Sequence, residues 1–173
     1  MAQKDLGNPT ALDQNLQVIV HPLGLQSLLT GQIDAHFITP PFEFQEVEKG
    51  GRVIIKSSDI FGKTSIASVF TTEKFYNQYP EFGKALYTAI ADATKLVNEK
   101  PDEAAKIISE IDGGKVSQEQ YKKWLTNKAV AYGIEPRAFL KCGAFMPEIG
   151  MLNKQPKSID ELILPPLKGA EGD

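Results

Sequence analysis

Cysteine is almost missing from this chain. Cys142 is the only one, which excludes an intrachain disulfide and any metal site built on several thiolates. The scarcity does not report on compartment, because a protein exported from a bacterium needs no disulfide. Histidine is nearly as rare, with two, and neither a His-x-x-x-His spacing nor clustered carboxylates complete a metal set around His21 and His36. No metal and no cofactor are therefore expected. No apolar run approaches the ~18 residues of a membrane span. An excess of positive charge is absent too: 19 basic against 22 acidic residues leave a net charge of −3, with no basic block to favour nucleic acid or an anionic membrane. The opening MAQKDLGNP has no apolar core of a secretory signal, so export would require a signal outside this sequence. What remains is an ordinary globular composition, 42% hydrophobic and 24% charged over 173 residues, enough for a sizeable core.

The chain is organised around the stretch from Gly31 to Gly51. Ile33, Ala35 and Phe37 alternate with His36 and Ile38, so both faces of an extended segment carry apolar groups, as in a covered strand. Thr39-Pro40-Pro41 stops it: each proline forces the residue before it out of the helical region, while Pro41 suits a helix start. The FEFQEVEK segment follows as a short acidic helix. The same order occurs just upstream, where LQVIV (16–20) ends at His21-Pro22 and a helix runs through Leu25, Leu28 and Leu29. Two successive strand–helix units predict a parallel sheet with ligand-binding junctions at the strand ends. Strands are predicted over 16–20, 33–38, 52–56 and 65–71.

After Thr72 helices take over. Thr72 caps a short helix that Pro80 ends or interrupts, and Phe82, Leu86, Ile90, Ala93 and Val97 keep a 3.6-residue period through Glu99. Pro101 opens a helix with acids behind it, and Gly113-Gly114 lie beyond its end. Ser117 to Gln120 is a capping box for a helix with Tyr121, Trp124 and Leu125. Pro136 opens another helix, bent by Pro147, and Ser158 to Glu161 is a second capping box. Ala2 to Gly7 reads as the last turns of a helix that Gly7 stops.

Candidate chemistry gathers at the two junctions. His21 sits between strand and helix, where it points into a cleft or satisfies a loop. His36, within a strand, reads as a buried structural side chain. Backbone N–H groups at Leu23, Gly24, Leu25, Phe42 and Glu43 could hold an anion at the two helix starts, although Glu43 competes for its own dipole. Glu43, Glu46, Glu48 and Asp59 form no acid/base pair and read as a solvated face. Cys142 shares a helix face with Ala138, Phe145 and Ile149 and is expected to be buried and inert. The ligand-binding set is His21, Pro22, Leu23, Thr39, Pro40, Pro41 and Phe42. No residue is assigned a catalytic role.

The run VIVHPLGLQSLLTGQIDAHFITPPFEFQEVEKGGRVIIKSSD resembles the substrate-binding proteins of ABC transporters. The likeness is to the nitrate, sulfonate and taurine group, which also includes thiamine-precursor binders. FTTEKFYNQYPEFGKALYTAIADATKLVNEKPDEAAKII and the terminal SIDELILPP are similar to later parts of the same family. Gly24 departs from it, standing where relatives often carry a side chain. The resemblance implies a type II periplasmic-binding α/β fold, of which this chain covers the later part. Residues 1–63 would belong to the second lobe, and 64–173 would be a hinge strand and a mainly helical return to the first. It further implies capture of a small anionic or heterocyclic ligand between lobes that turn on strands near Ile33–Thr39 and Ser65–Thr72, followed by docking on a permease and ATPase. The location would be periplasmic or anchored outside the cytoplasmic membrane. A chain carrying only this part would expose apolar surface and associate with a partner or a second copy. Two alternatives share the fold: an enzyme making a thiamine-pyrimidine precursor, against which the lack of a cysteine-rich stretch speaks, and the effector-sensing domain of a transcription regulator.

Overall fold

Proline at the first position, followed by an acid, starts the two longest helices of the protein, whose computed structural model describes residues 2–168. In chain order the α-helices are α1 (Ala2–Leu6), α2 (His21–Leu29), α3 (Phe42–Glu48), α4 (Ser57–Phe61) and α5 (Glu73–Gln78). They continue with α6 (Pro80–Glu99), α7 (Pro101–Ile111), α8 (Gln118–Leu125) and α9 (Phe139–Phe145). Short 3-10 turns cover Asp13–Asn15, Met146–Ile149, Ile159–Glu161 and Pro165–Leu167.

The expected α/β sheet, and with it the type II binding-protein fold, does not form. Among the described residues there is no strand. Stretches 16–20, 35–39, 51–56 and 64–72 carry no regular element and no sheet pairing, and several of their apolar side chains stand in water: Val18 is 109% exposed, Phe70 92% and Phe37 82%. The physical reason is that an extended backbone is a local property, whereas a sheet needs a neighbour whose N–H and C=O groups complete the ladder. Apolar residues on both faces predict where a strand would be covered, but not that anything covers it. The accessible surface of 12706 Å² exceeds the roughly 8,400 Å² of a folded monomer this size. The core is correspondingly thin.

Two compact units divide the chain. One combines residues 2–65 with 136–163; the other combines 66–135 with 164–168. In the second, α7 packs between α6 and α8, burying Ala104, Ala105 and Trp124. Lys122 Nζ reaches Asp102 Oδ1 at 2.8 Å, and Ser109 Oγ donates to the Val116 carbonyl at 2.8 Å. The caps form where the sequence places them: Thr72 Oγ1 accepts from Phe75 N and Ser117 Oγ from Gln120 N. The second predicted box makes only a 3-10 turn, with Ser158 Oγ accepting from Asp160 N.

The first unit is tied by contacts distant in sequence. Ser65 N donates to the Arg137 carbonyl at 3.2 Å, and Arg137 N returns a bond to Ser65 Oγ at 3.0 Å. Lys141 Nζ reaches the Phe61 carbonyl at 3.1 Å. Pro136 does not open a helix: Ala138 intervenes at φ 62, a left-handed conformation unusual for a residue with a side chain, and α9 begins after it. Pro147 shortens the last turn into the 3-10 segment.

Candidate functional site

Pro22 lies in the first turn of α2, where its missing N–H has no helical partner to lose, so the helix begins at His21 itself with Val20 extended ahead of it. His21 is thus the first helical residue rather than part of a preceding loop. The entry to α3 is built differently. Pro40–Pro41 is a cis peptide, Pro41 takes the cap position, and the Thr39 carbonyl accepts from Phe42 N at 3.2 Å and Glu43 N at 3.4 Å. The Thr39 hydroxyl makes no cap bond.

α2 and α3 pack together, and three rings and one acid meet there. The His21 ring lies 5.2 Å from Phe42 and 5.6 Å from His36, centroid to centroid. His36 Nδ1 and Glu46 Oε1 are 2.7 Å apart, with side chains only 5% and 8% exposed. The two atoms share one hydrogen bond, whose donor is set by the imidazole tautomer. Gly24 accommodates the imidazole: a Cβ there would lie 2.3 Å from His36 Cε1. Gly24 therefore makes room for a side chain of the chain itself. His21 Nδ1 is buried and has no hydrogen-bond partner among the described residues.

Of the predicted site residues, the structure brings His21 and Phe42 into contact. Pro40 and Pro41 are half-buried at the turn, while Pro22, Leu23 and Thr39 are exposed. The anion reading of the helix starts is corrected in part, because the N–H groups of Gly24, Phe42 and Glu43 already donate to the carbonyls of Val20 and Thr39. Glu46 is a second correction: it is buried against His36, not part of a solvated face. Its neighbour Glu43 pairs with Lys56 Nζ at 3.1 Å. The signal that would have found Glu46 is its spacing from Phe42: four residues along a helix put both on one face. Cys142, expected to be buried, is half-buried and lines a cavity.

Residues 1–111 match the model of the NMT1-like family. That is more than half of the chain. The protein belongs to the NMT1-like family. No curated protein and no solved structure matches it. Membership agrees with the resemblance to nitrate-, sulfonate- and taurine-type binding proteins, and gives this NMT1-like chain a solute-binding type of function in the broad sense. The match includes both helix entries at His21 and Phe42, as well as α6 and α7; residues 112–173 lie beyond it. Among the described residues no helix is long and apolar enough to cross a membrane, and no group of three or more His, Cys, Asp or Glu could hold a metal ion.

Proposed function

We propose that this NMT1-like chain is the solute-binding component of an ABC importer and binds its ligand at the junction of α2 and α3 without converting it. The ligand class is a small anion, nitrate- or sulfonate-like, or a polar heterocycle. The observation that carries this reading is the His21 imidazole. Its Nδ1 is buried and unpartnered, beside the aromatic face of Phe42. A buried polar atom without a partner is costly, and a ligand that reaches it as the covering side chains part regains that energy. Phe42 gives a flat apolar wall, and the exposed Thr39 precedes the entry to α3. The His36–Glu46 pair fixes the floor on which His21 rests. In this reading the loaded protein delivers to a membrane permease and its ATPase, outside the cytoplasmic membrane.

Calorimetric titration with nitrate, taurine and a hydroxymethylpyrimidine tests it. One of the three is expected to bind with a saturable heat. His21→Ala should then weaken it by roughly ten- to a hundred-fold, the loss of one hydrogen bond to a charged or strongly polar group. Thr39→Ala should weaken it less, with an unchanged melting temperature. Unaltered affinity in both variants places the ligand elsewhere.

A further inference from the structure

Lined mostly by residues 137–162, beyond the segment that matches the family, with Thr64 and Ser65 from within it, the first unit holds a cavity of about 550 Å³. Its size is that of a small-molecule site, which runs roughly 300–1,000 Å³. Phe139, Met146, Leu152, Pro156 and Leu162 make its wall apolar, and Cys142 faces it. Thr64, Ser65 and Gln155 add neutral polar groups, and three charged residues complete the lining: Arg137, Lys154 and Glu161. Neither cation makes a side-chain ion pair or hydrogen bond among the described residues. Two positive charges against one negative leave a net single positive charge at the wall.

The wall is also a built one. Arg137 is held through its backbone by the two bonds to Ser65. The next residue, Ala138, is 1% exposed and turns the chain through the left-handed region, so that α9 leaves along the cavity. Pro156 closes onto Gly143, where a Cβ would meet its Cγ at 2.6 Å. An open apolar cavity with two exposed cations and one exposed acid in its lining fits a particular kind of molecule. We propose that this cavity binds a monocarboxylate with an apolar body, the carboxylate lying between Arg137 and Lys154 and the hydrocarbon against Phe139 and Met146. A guanidinium takes a carboxylate through two parallel N–H donors, and the ammonium adds a point charge. A dianion would exceed the net charge, and a neutral amphiphile would gain nothing from either exposed cation. The site is separate from that at His21, and its test does not depend on that reading.

Cys142 is the chain's only thiol, so its alkylation by iodoacetamide, followed by intact mass, reports on this cavity alone. Octanoate is the probe, with octan-1-ol as its neutral counterpart. Octanoate at saturation is expected to slow the alkylation at least fivefold, octanol less than twofold. In the double variant Arg137→Gln/Lys154→Gln, with an unchanged circular dichroism spectrum, octanoate should protect no better than octanol. His21→Ala should leave the protection as it is. Equal protection by the alcohol, no protection by octanoate, or full octanoate protection in the double variant each overturns the proposal. If Cys142 reacts too slowly in the free protein to follow, titration calorimetry decides: absence of a saturable octanoate heat of single stoichiometry overturns it equally.

Discussion

The two compact units are stabilised by opposite means. In the unit of residues 66–135 and 164–168, the buried groups are Ala104, Ala105 and Trp124, all presented by helices whose apolar period is visible in the sequence. In the unit of residues 2–65 and 136–163, the buried set includes Ser27 and Glu46 beside Leu25, Phe44 and Ala138. There the ordering contacts join residues far apart, such as Ser65 with Arg137. Local pattern is sufficient to build a small helical stack. A polar cluster needs partners that no local pattern names.

The comparison predicts where each unit is most fragile. Trp124, 7% exposed and edge-on to Tyr121 at 5.6 Å, is the largest buried side chain of the helical unit. Trp124→Ala should cost about 4 kcal/mol, the usual price of removing a buried aromatic, measured by urea unfolding followed by circular dichroism. A loss under about 1 kcal/mol would mean that α7 and α8 are not held by their apolar contact. The matching test in the other unit is Glu46→Ala, which strands His36 in a buried site and should cost about 3 kcal/mol. The double variant His36→Leu/Glu46→Leu should recover most of that, since an apolar pair of similar volume needs no partner. Failure of the double variant to recover would show the pair to be worth more than its replacement. Gly24→Ala comes next. The added methyl must displace the His36 ring, and overpacking of this kind costs about 2 kcal/mol.

What was legible in the sequence divides along the same line. Thr72, Pro101 and Ser117 mark helix starts through backbone chemistry that acts over three or four residues, and the helices lie where these signals put them. The four expected strands failed because alternation at Ile33 to Ile38 or Ser65 to Thr72 fixes a backbone shape without supplying a neighbour. At the site, the meeting of His21 with Phe42 was foreseen through sheet topology, yet it comes about through the packing of α2 on α3. Glu46 was hidden because an acid on a short acidic helix usually faces water. Only the partner His36, ten residues earlier, gives it a reason to be buried. Ala138 carried no signal at all, since glycine or asparagine is the usual mark of a left-handed turn.

A smaller effect separates the units at helix entries. α8 begins on the Ser117 hydroxyl, whereas α2 and α3 begin without a side-chain cap. Ser117→Ala should therefore cost about 1 kcal/mol, while Thr39→Ala should leave unfolding unchanged. Equal losses in the two variants would show that Thr39 has a structural duty in addition to its place at the site.

The smallest expected effect is a dependence on pH confined to the helical unit. The Tyr121 hydroxyl donates to Asp112 Oδ2, and the backbone N–H of Lys115 donates to Oδ1 at 3.1 Å. The bond from Tyr121, ahead of those from the backbone, holds the Asp112 carboxyl below its ordinary value of 3.8. The folded state thus releases this proton more readily than the unfolded chain. Its contribution is present above the ordinary carboxylate value and is lost as pH falls through the lower folded value. The same bond raises Tyr121 above its ordinary 10.0, so the folded state keeps that proton longer and stability falls as pH climbs past it. Urea midpoints taken from pH 7 to pH 3 should fall more steeply for the wild type than for Asp112→Asn, and Tyr121→Phe should flatten both the acid and the alkaline limb. Parallel acid limbs for wild type and Asp112→Asn would mean that the Tyr121–Asp112 bond adds nothing to the stack that α7 and α8 form.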